Sequence, residues 1–225
     1  MEFVCHRRLF GHGYQCLMPN YFDDMPKGSG VFISGLVPTK EILPHVEFPG
    51  DIDLLIIPYE GDELLISMSL AIEIKIIRAT YKKQGRSPNQ YGFSQAEALL
   101  RAGFPHVAVA HLIVSDQSPE HAWREILYTV VLDDEGRCAD PKPIKVDTMP
   151  SDLIARSLGR LRANRRTEQI GLLASYLSED WDGVWLPSGD GCQQNPKIDF
   201  DVMASIAKYY HCVPQRFIET RRWDP

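Results

Sequence analysis

The chain has 225 residues, of which 24 are basic and 30 acidic, for a formal net charge of −6, and 44% are hydrophobic, as in a globular protein with a real core. No run of about eighteen apolar residues occurs, which excludes a membrane-spanning helix, and five scattered cysteines without a CxxC pair argue against a disulfide framework and for reduced thiols in a cytoplasmic protein. The acidic balance also withholds the overall basic surface that usually supplies affinity for phosphate backbones.

The first 47 residues carry few organising signals. Turn clusters fall at Gly11-His12-Gly13, Pro19-Asn20 and Lys27 to Gly30, with a short strand at Val31 to Ile33. Cys5, His6, His12 and Cys16 are zinc-ligand types, but their spacing matches no common ligand pattern. After Pro38, Thr39 is the N-cap of a short helix through Val46 that carries Glu41.

Two apolar runs follow, Ile52 to Pro58 and Leu64 to Ile77, separated by the polar stretch Tyr59 to Glu63 with Gly61 at its centre, which reads as a hairpin loop. Strand alternation sets Ala71, Glu73, Lys75 and Ile77 on one face and Ile72, Ile74 and Ile76 on the other, toward the core. In the first run Asp51 and Asp53 point one way, Ile52, Leu54 and Ile56 the other. If the runs pair, acidic residues and a lysine meet on one face of a sheet. Such a cluster is costly unless its charges pair or bind a metal.

Thr80 to Phe93 is polar, basic and broken by Gly and Pro, hence a loop. Ser94 caps a helix that reaches Ala102 and stops at Gly103, with Gln95 in its first turn. His106 to Val114 is a strand in which His111 reads as a core histidine. A short helix after Ser118-Pro119, a strand from Ile126 to Leu132 and a turn at Asp133 to Gly136 come next, and the Pro-rich stretch 138–150 is a linker or long loop. Ser151 caps an amphipathic helix with an apolar stripe at 153, 154, 158 and 161. A helix from Glu168 to Leu177, a strand and turn in WDGVWLPSGDG and a last helix in FDVMASIAKYYHCV lead to a basic end. The expected division is a core at 1–137 and an α+β extension at 151–225 packed on it. No phosphate-binding GK[ST] loop and no dinucleotide fingerprint occurs.

Gly50-Asp51-Ile52-Asp53, then Glu73-Ile74-Lys75 on the second strand, then the Gln95 helix and the His106 strand together resemble the PD-(D/E)XK nuclease superfamily. The likeness covers roughly Pro49 to Val114. It implies the restriction-endonuclease-like α/β fold, a mixed central sheet flanked by helices, here with a helical and mixed C-terminal extension. It also implies a metal-dependent nuclease that hydrolyses phosphodiester bonds of nucleic acid, DNA favoured over RNA, with Mg²⁺ or Mn²⁺. On that likeness Asp53 and Glu73 are the metal carboxylates and the Ile74 backbone carbonyl a further ligand. Lys75 orients or deprotonates water, and Gln95 contacts substrate or a metal-bound water. Asp51 is a candidate outer-shell partner, and Glu41 stands where related nucleases place an acid on a preceding helix.

Two stretches lack acidic residues, Lys75 to Arg86 and Arg156 to Arg166. Arg78, Lys82, Lys83 and Arg86, with Arg160 and Arg162, are candidate contacts to a nucleic-acid backbone, the bland alternative being solvated faces. Two other functional readings stand beside the nuclease. One is a catalytically inactive nuclease-fold subunit that binds nucleic acid or a protein partner, with a homodimer also open. The other is an interaction module, in which the tryptophans of WDGVWLP and RRW serve a protein interface; against every functional reading stands Glu73-x-Lys75 as an ordinary cross-strand charge pair.

Overall fold

The computed structural model of the chain describes residues 2–44, 50–85, 87–88, 91–177 and 185–222. Three helices open the chain, α1 (Glu2–Cys5), α2 (Arg7–Leu17) and α3 (Pro19–Asp24). They are followed by β1 (Ser29–Val37), the single turn α4 (Thr39–Ile42), β2 (Ile52–Glu60), the stub β3 (Glu63–Leu64) and β4 (Leu70–Arg78). Next come α5 (Phe93–Arg101), β5 (His106–Val114), β6 (Arg124–Tyr128), β7 (Lys142–Val146) and α6 (Met149–Asn164). The chain finishes with β8 (Ile170–Tyr176), β9 (Ser188–Asp190), α7 (Phe200–Cys212) and β10 (Ile218–Arg221).

The architecture is α/β, with a central mixed sheet between helices. Its strand order is β10-β1-β2-β4-β5-β8-β9, with β3 added to β2. β10, β1, β2 and β4 pair antiparallel in turn, β4-β5 and β5-β8 are parallel, and β8-β9 is antiparallel. Parallel neighbours need a crossover, and α5 supplies the one between β4 and β5. Residues beyond 150 contribute strands at both ends of this sheet.

Both faces are covered, so the inner strands are apolar on both sides. Val107, Val109 and Ile113 of β5 enter the cluster formed with α5, α6 and α7, while Ala108, Ala110 and Leu112 enter the one formed with α1 and α2. This double burial explains the main departure from the sequence reading. Residues 168–177 were expected to be helical, yet Ile170–Tyr176 is the strand β8, with Ile170, Leu172 and Ala174 on one face and Leu173 on the other. A short apolar run buried on both sides has no period that separates strand from helix.

Other departures have local causes. The turn expected at Gly11-His12-Gly13 lies inside α2, where a Cβ on Gly13 would come within 2.8 Å of the Phe3 ring and 3.3 Å of Leu173. Gly13 is there for close packing, not for a turn. The run from Leu64 to Ile77 is interrupted by a 3₁₀ turn at Ile66–Met68 before β4 begins. Ile76, expected in the core, is 47% exposed, because β2 pairs β4 only as far as Ile72. The Pro-rich stretch 138–150 is not a plain linker, since Lys142–Val146 pairs with β6 in a two-stranded ribbon in which Pro143 stands opposite Leu127. A ribbon without further neighbours tolerates proline.

Three expected caps shift by a residue or more. Thr39 is the first residue of α4, and its hydroxyl donates to the Gly50 carbonyl at 2.7 Å; positions 45 and 46 of the expected helix lie outside the described residues. Ser94 lies inside α5, which Gly92 precedes, and Ser151 lies inside α6, which Thr148 precedes. The expected stop at Gly103 holds, with φ +99°. Positions 153, 154, 158 and 161 of α6 are all buried, as their stripe predicts. No helix among the described residues is long and apolar enough to cross a membrane.

Candidate functional site

β2 and β4 are hydrogen-bonded neighbours at Leu54–Ile72, Leu55–Ala71 and Ile56–Leu70. Continued by one step, that register sets Asp53 opposite Glu73. The ladder stops there, and the Asp53 carboxylate takes over, its Oδ2 accepting the Ile74 N–H at 2.7 Å. The strands therefore part at the two carboxylates, while β4 keeps its other neighbour, β5, to Arg78.

Glu73 is 1% exposed and Asp53 half-buried. The Lys75 ammonium donates to Glu73 Oε1 at 2.5 Å and to Gln95 Oε1 at 3.1 Å, so the first turn of α5 is tied to β4. The other oxygen of Glu73, Oε2, is buried and has no hydrogen-bond partner among the described residues. Burial, reinforced by the nearby charge of Asp53 and opposed by Lys75, pushes the Glu73 carboxyl up to about 6. A buried carboxylate with an idle oxygen is costly unless something else binds it.

Gly92 closes the site from above. At φ +92°, a Cβ there would stand 3.0 Å from Glu73 Cγ, 3.2 Å from Val109 Cγ1 and 3.7 Å from Lys75 Cε. We expect Gly92→Ala to cost about 3 kcal/mol through backbone strain and overpacking. Urea unfolding would measure the loss, and a variant as stable as the parent would refute the assigned contact.

His111 backs the same loop. Its Nδ1 lies 2.9 Å from Ser157 Oγ and its Nε2 3.3 Å from the Tyr91 carbonyl, and the Tyr91 ring stacks on it with centroids 6.0 Å apart. Burial pushes its pKa down to about 4, which keeps the ring neutral. It is the satisfied core histidine that the sequence suggests, and it holds the residue before Gly92. The roles of Gly92 and Tyr91 were not read from the sequence, which placed both in the loop before a helix capped by Ser94.

The structure brings Asp53, Glu73, Lys75 and Gln95 together. Asp51 is exposed just before β2, and Glu41 is exposed on α4, which packs on α7. Among the described residues no hydrogen bond or ion pair joins either to the carboxylates, and no group of three His, Cys, Asp or Glu gathers as metal ligands. The zinc-type side chains of the N-terminus serve elsewhere: His6 Nδ1 accepts the Leu9 N–H at the start of α2, and Cys5 and Cys16 are free thiols.

Of the candidate backbone contacts, Arg78, Lys82 and Lys83 are exposed, and Arg86 lies outside the described residues. Arg156 of α6 donates to Gln84 Oε1 at 2.9 Å, which draws the two basic stretches together. Arg162 is engaged, its Nε and Nη2 forking onto Asp190 of β9 at 3.0 and 2.5 Å, a bidentate pair that holds the Asp190 carboxyl below its usual range. Arg160 lies close enough to His111 to help lower its pKa. No family model, no curated protein and no solved structure matches the chain.

Proposed function

We propose that the chain is a metal-dependent nuclease of the PD-(D/E)XK type, acting on phosphodiester bonds of nucleic acid, DNA more than RNA. The idle, buried Oε2 of Glu73, set beside Asp53 where the sheet opens, is the observation that carries this reading. The chain order of β1, β2, β4, α5 and β5 around that opening supports the restriction-endonuclease-like assignment.

The residues present fit a hard divalent cation such as Mg²⁺ or Mn²⁺, which prefers carboxylate oxygens. Asp53 and Glu73 would hold it, with the Ile74 carbonyl as a further oxygen. Two carboxylates against one ammonium leave the cluster with an excess negative charge, which a divalent cation would reverse in favour of a phosphodiester. When bound, such a cation acidifies a water and polarises the phosphoryl group. Lys75, held between Glu73 and Gln95, keeps a fixed positive charge at the opening and so offsets charge that develops on phosphate oxygens. Gln95 fixes the ammonium's position. Lys82, Lys83 and Arg78 offer exposed charges for the neighbouring backbone phosphates.

Cleavage of DNA and RNA substrates with Mg²⁺, with Mn²⁺ and with EDTA tests the proposal, with Lys75→Ala alongside. Cutting should need the metal and fall about a hundredfold in the variant. A folded protein that cuts nothing under either metal, or that cuts equally in EDTA, would overturn it. Salt-sensitive oligonucleotide binding without cutting would point instead to an inactive binding subunit.

A further inference from the structure

The β6–β7 ribbon stands apart from the central sheet, and neither of its strands has another strand neighbour among the described residues. It is tied down at its root, where Arg124 pairs with Asp152 of α6 at 3.1 Å and the Trp123 indole donates to the Ser118 carbonyl at 3.0 Å. Beyond Tyr128 the hairpin continues toward its tip, the Ala139 N–H donating to the Val130 carbonyl at 2.9 Å and the Leu132 N–H to the Arg137 carbonyl at 2.7 Å. This arm is apolar where a solvated hairpin would be polar. Leu127, Leu132, Val131 and Tyr128 are 75, 64, 62 and 52% exposed. Alternation sets Ile126 and Tyr128, with Ile144 across from Ile126, on one face and Leu127 on the other. A lone two-stranded ribbon is at best marginally stable in water, and monomers seldom leave so continuous an apolar patch open.

We propose that the arm joins two copies of the chain, each arm packed antiparallel against its equivalent about a two-fold axis. Area and charge both fit a second copy. These six apolar side chains expose roughly 600 Å², whereas a standard interface takes about 800 Å² from each partner, of which about 450 Å² is apolar. The tip, 133–137, has three acids against Arg137, a formal −2, and the strands have Arg124, Lys142 and Lys145 against Glu125, a formal +2. Asp152, at Arg124, reduces the latter to +1. Asp134 and Glu135 at the tip are exposed, as are Lys142 and Lys145. Antiparallel packing brings the tip of each arm to the strands of the other, so the surface is complementary to itself, as a two-fold contact requires. A lipid surface would use the apolar side chains and leave this polarity without a partner.

Sedimentation velocity of the full chain in EDTA, which removes any metal-bridged association at Glu73, should show a dimer with a Kd below about 100 µM. Leu127→Lys combined with Tyr128→Lys should weaken it at least about a hundredfold. Both side chains are exposed, so the variant should keep the far-ultraviolet spectrum of the parent. Charge exchange leaves the apolar side chains untouched and gives a second reading. Asp134→Lys with Glu135→Lys should weaken the dimer about tenfold, and adding Lys142→Glu and Lys145→Glu to the same chain should restore it, because both ends have then changed sign. The proposal fails if the parent is monomeric at about 100 µM, if the Leu127→Lys and Tyr128→Lys chain dimerises like the parent, or if the exchange recovers nothing. A monomer that floats with phosphatidylcholine vesicles would assign the arm to a lipid surface instead.

Discussion

Glu73→Gln should cut the proposed metal-dependent cleavage about a thousandfold and at the same time make the fold more stable at neutral pH. The stability part follows from burial. The carboxyl is raised from 4.5 to about 6, so the folded chain holds this proton more tightly than the unfolded chain does. Below pH 4.5 both states are protonated and the side chain carries no penalty. As pH rises through the interval to about 6, the folded state is disfavoured, and above it the loss levels at about 2 kcal/mol. A neutral glutamine of the same shape avoids that loss, while Lys75 keeps its contact with Gln95. The expected gain is about 5 °C in Tm at pH 7.5, shrinking to nothing near pH 4. If the proposed nuclease reading holds, activity should fall about a thousandfold, because a cation bound there would lose a charged ligand. Thermal melts across pH and cleavage rates at pH 7.5 check the two halves. A variant that cuts normally, or that melts lower than the parent at pH 7.5, would remove Glu73 from the proposed role.

Gly103→Ala should be the most damaging small change to the fold. Gly103 ends α5 at φ +99°, and a Cβ there would come within 2.4 Å of Asp199 Cβ and 2.7 Å of Asp199 N. The Asp199 N–H donates to the Gly103 carbonyl at 3.1 Å, and the Asp199 carboxylate caps the Asp201 N–H at the start of α7. One methyl group would therefore separate the end of α5 from the start of α7. Strain and overpacking together predict a loss of about 4 kcal/mol. Gly136→Ala is the control, since Gly136 also has positive φ, +78°, but faces open space. It should cost about 1 kcal/mol. Urea titration of both variants measures the difference, and near-equal losses would show that backbone strain alone matters at Gly103.

The alternation of Asp53, Glu73 and Lys75 was legible because strand geometry fixes side-chain parity without any knowledge of register. The helix carrying Gln95 and the strand from His106 to Val114 were legible too, since glycine and apolar runs bound them. The parting of β2 from β4 was not, because it depends on a side chain displacing a backbone acceptor at Ile74, and nothing in the spacing of the residues announces that. Arg162 looked like a phosphate contact because Asp190, which engages it, lies far away in sequence. β8 and β7 were missed for opposite reasons: β8 is apolar on both faces, and β7 carries proline and lysine on an open ribbon.

The position of β8 has a consequence for how the chain reaches its structure. Its parallel partner, β5, is made long before it, with the β6–β7 ribbon and all of α6 still to come. Until β8 arrives, β5 presents an open apolar edge, and parallel pairing across so long a connection is slow. The nascent chain thus spends its most vulnerable interval with the strand beside Glu73 and Lys75 half-finished, a ready template for any other extended segment.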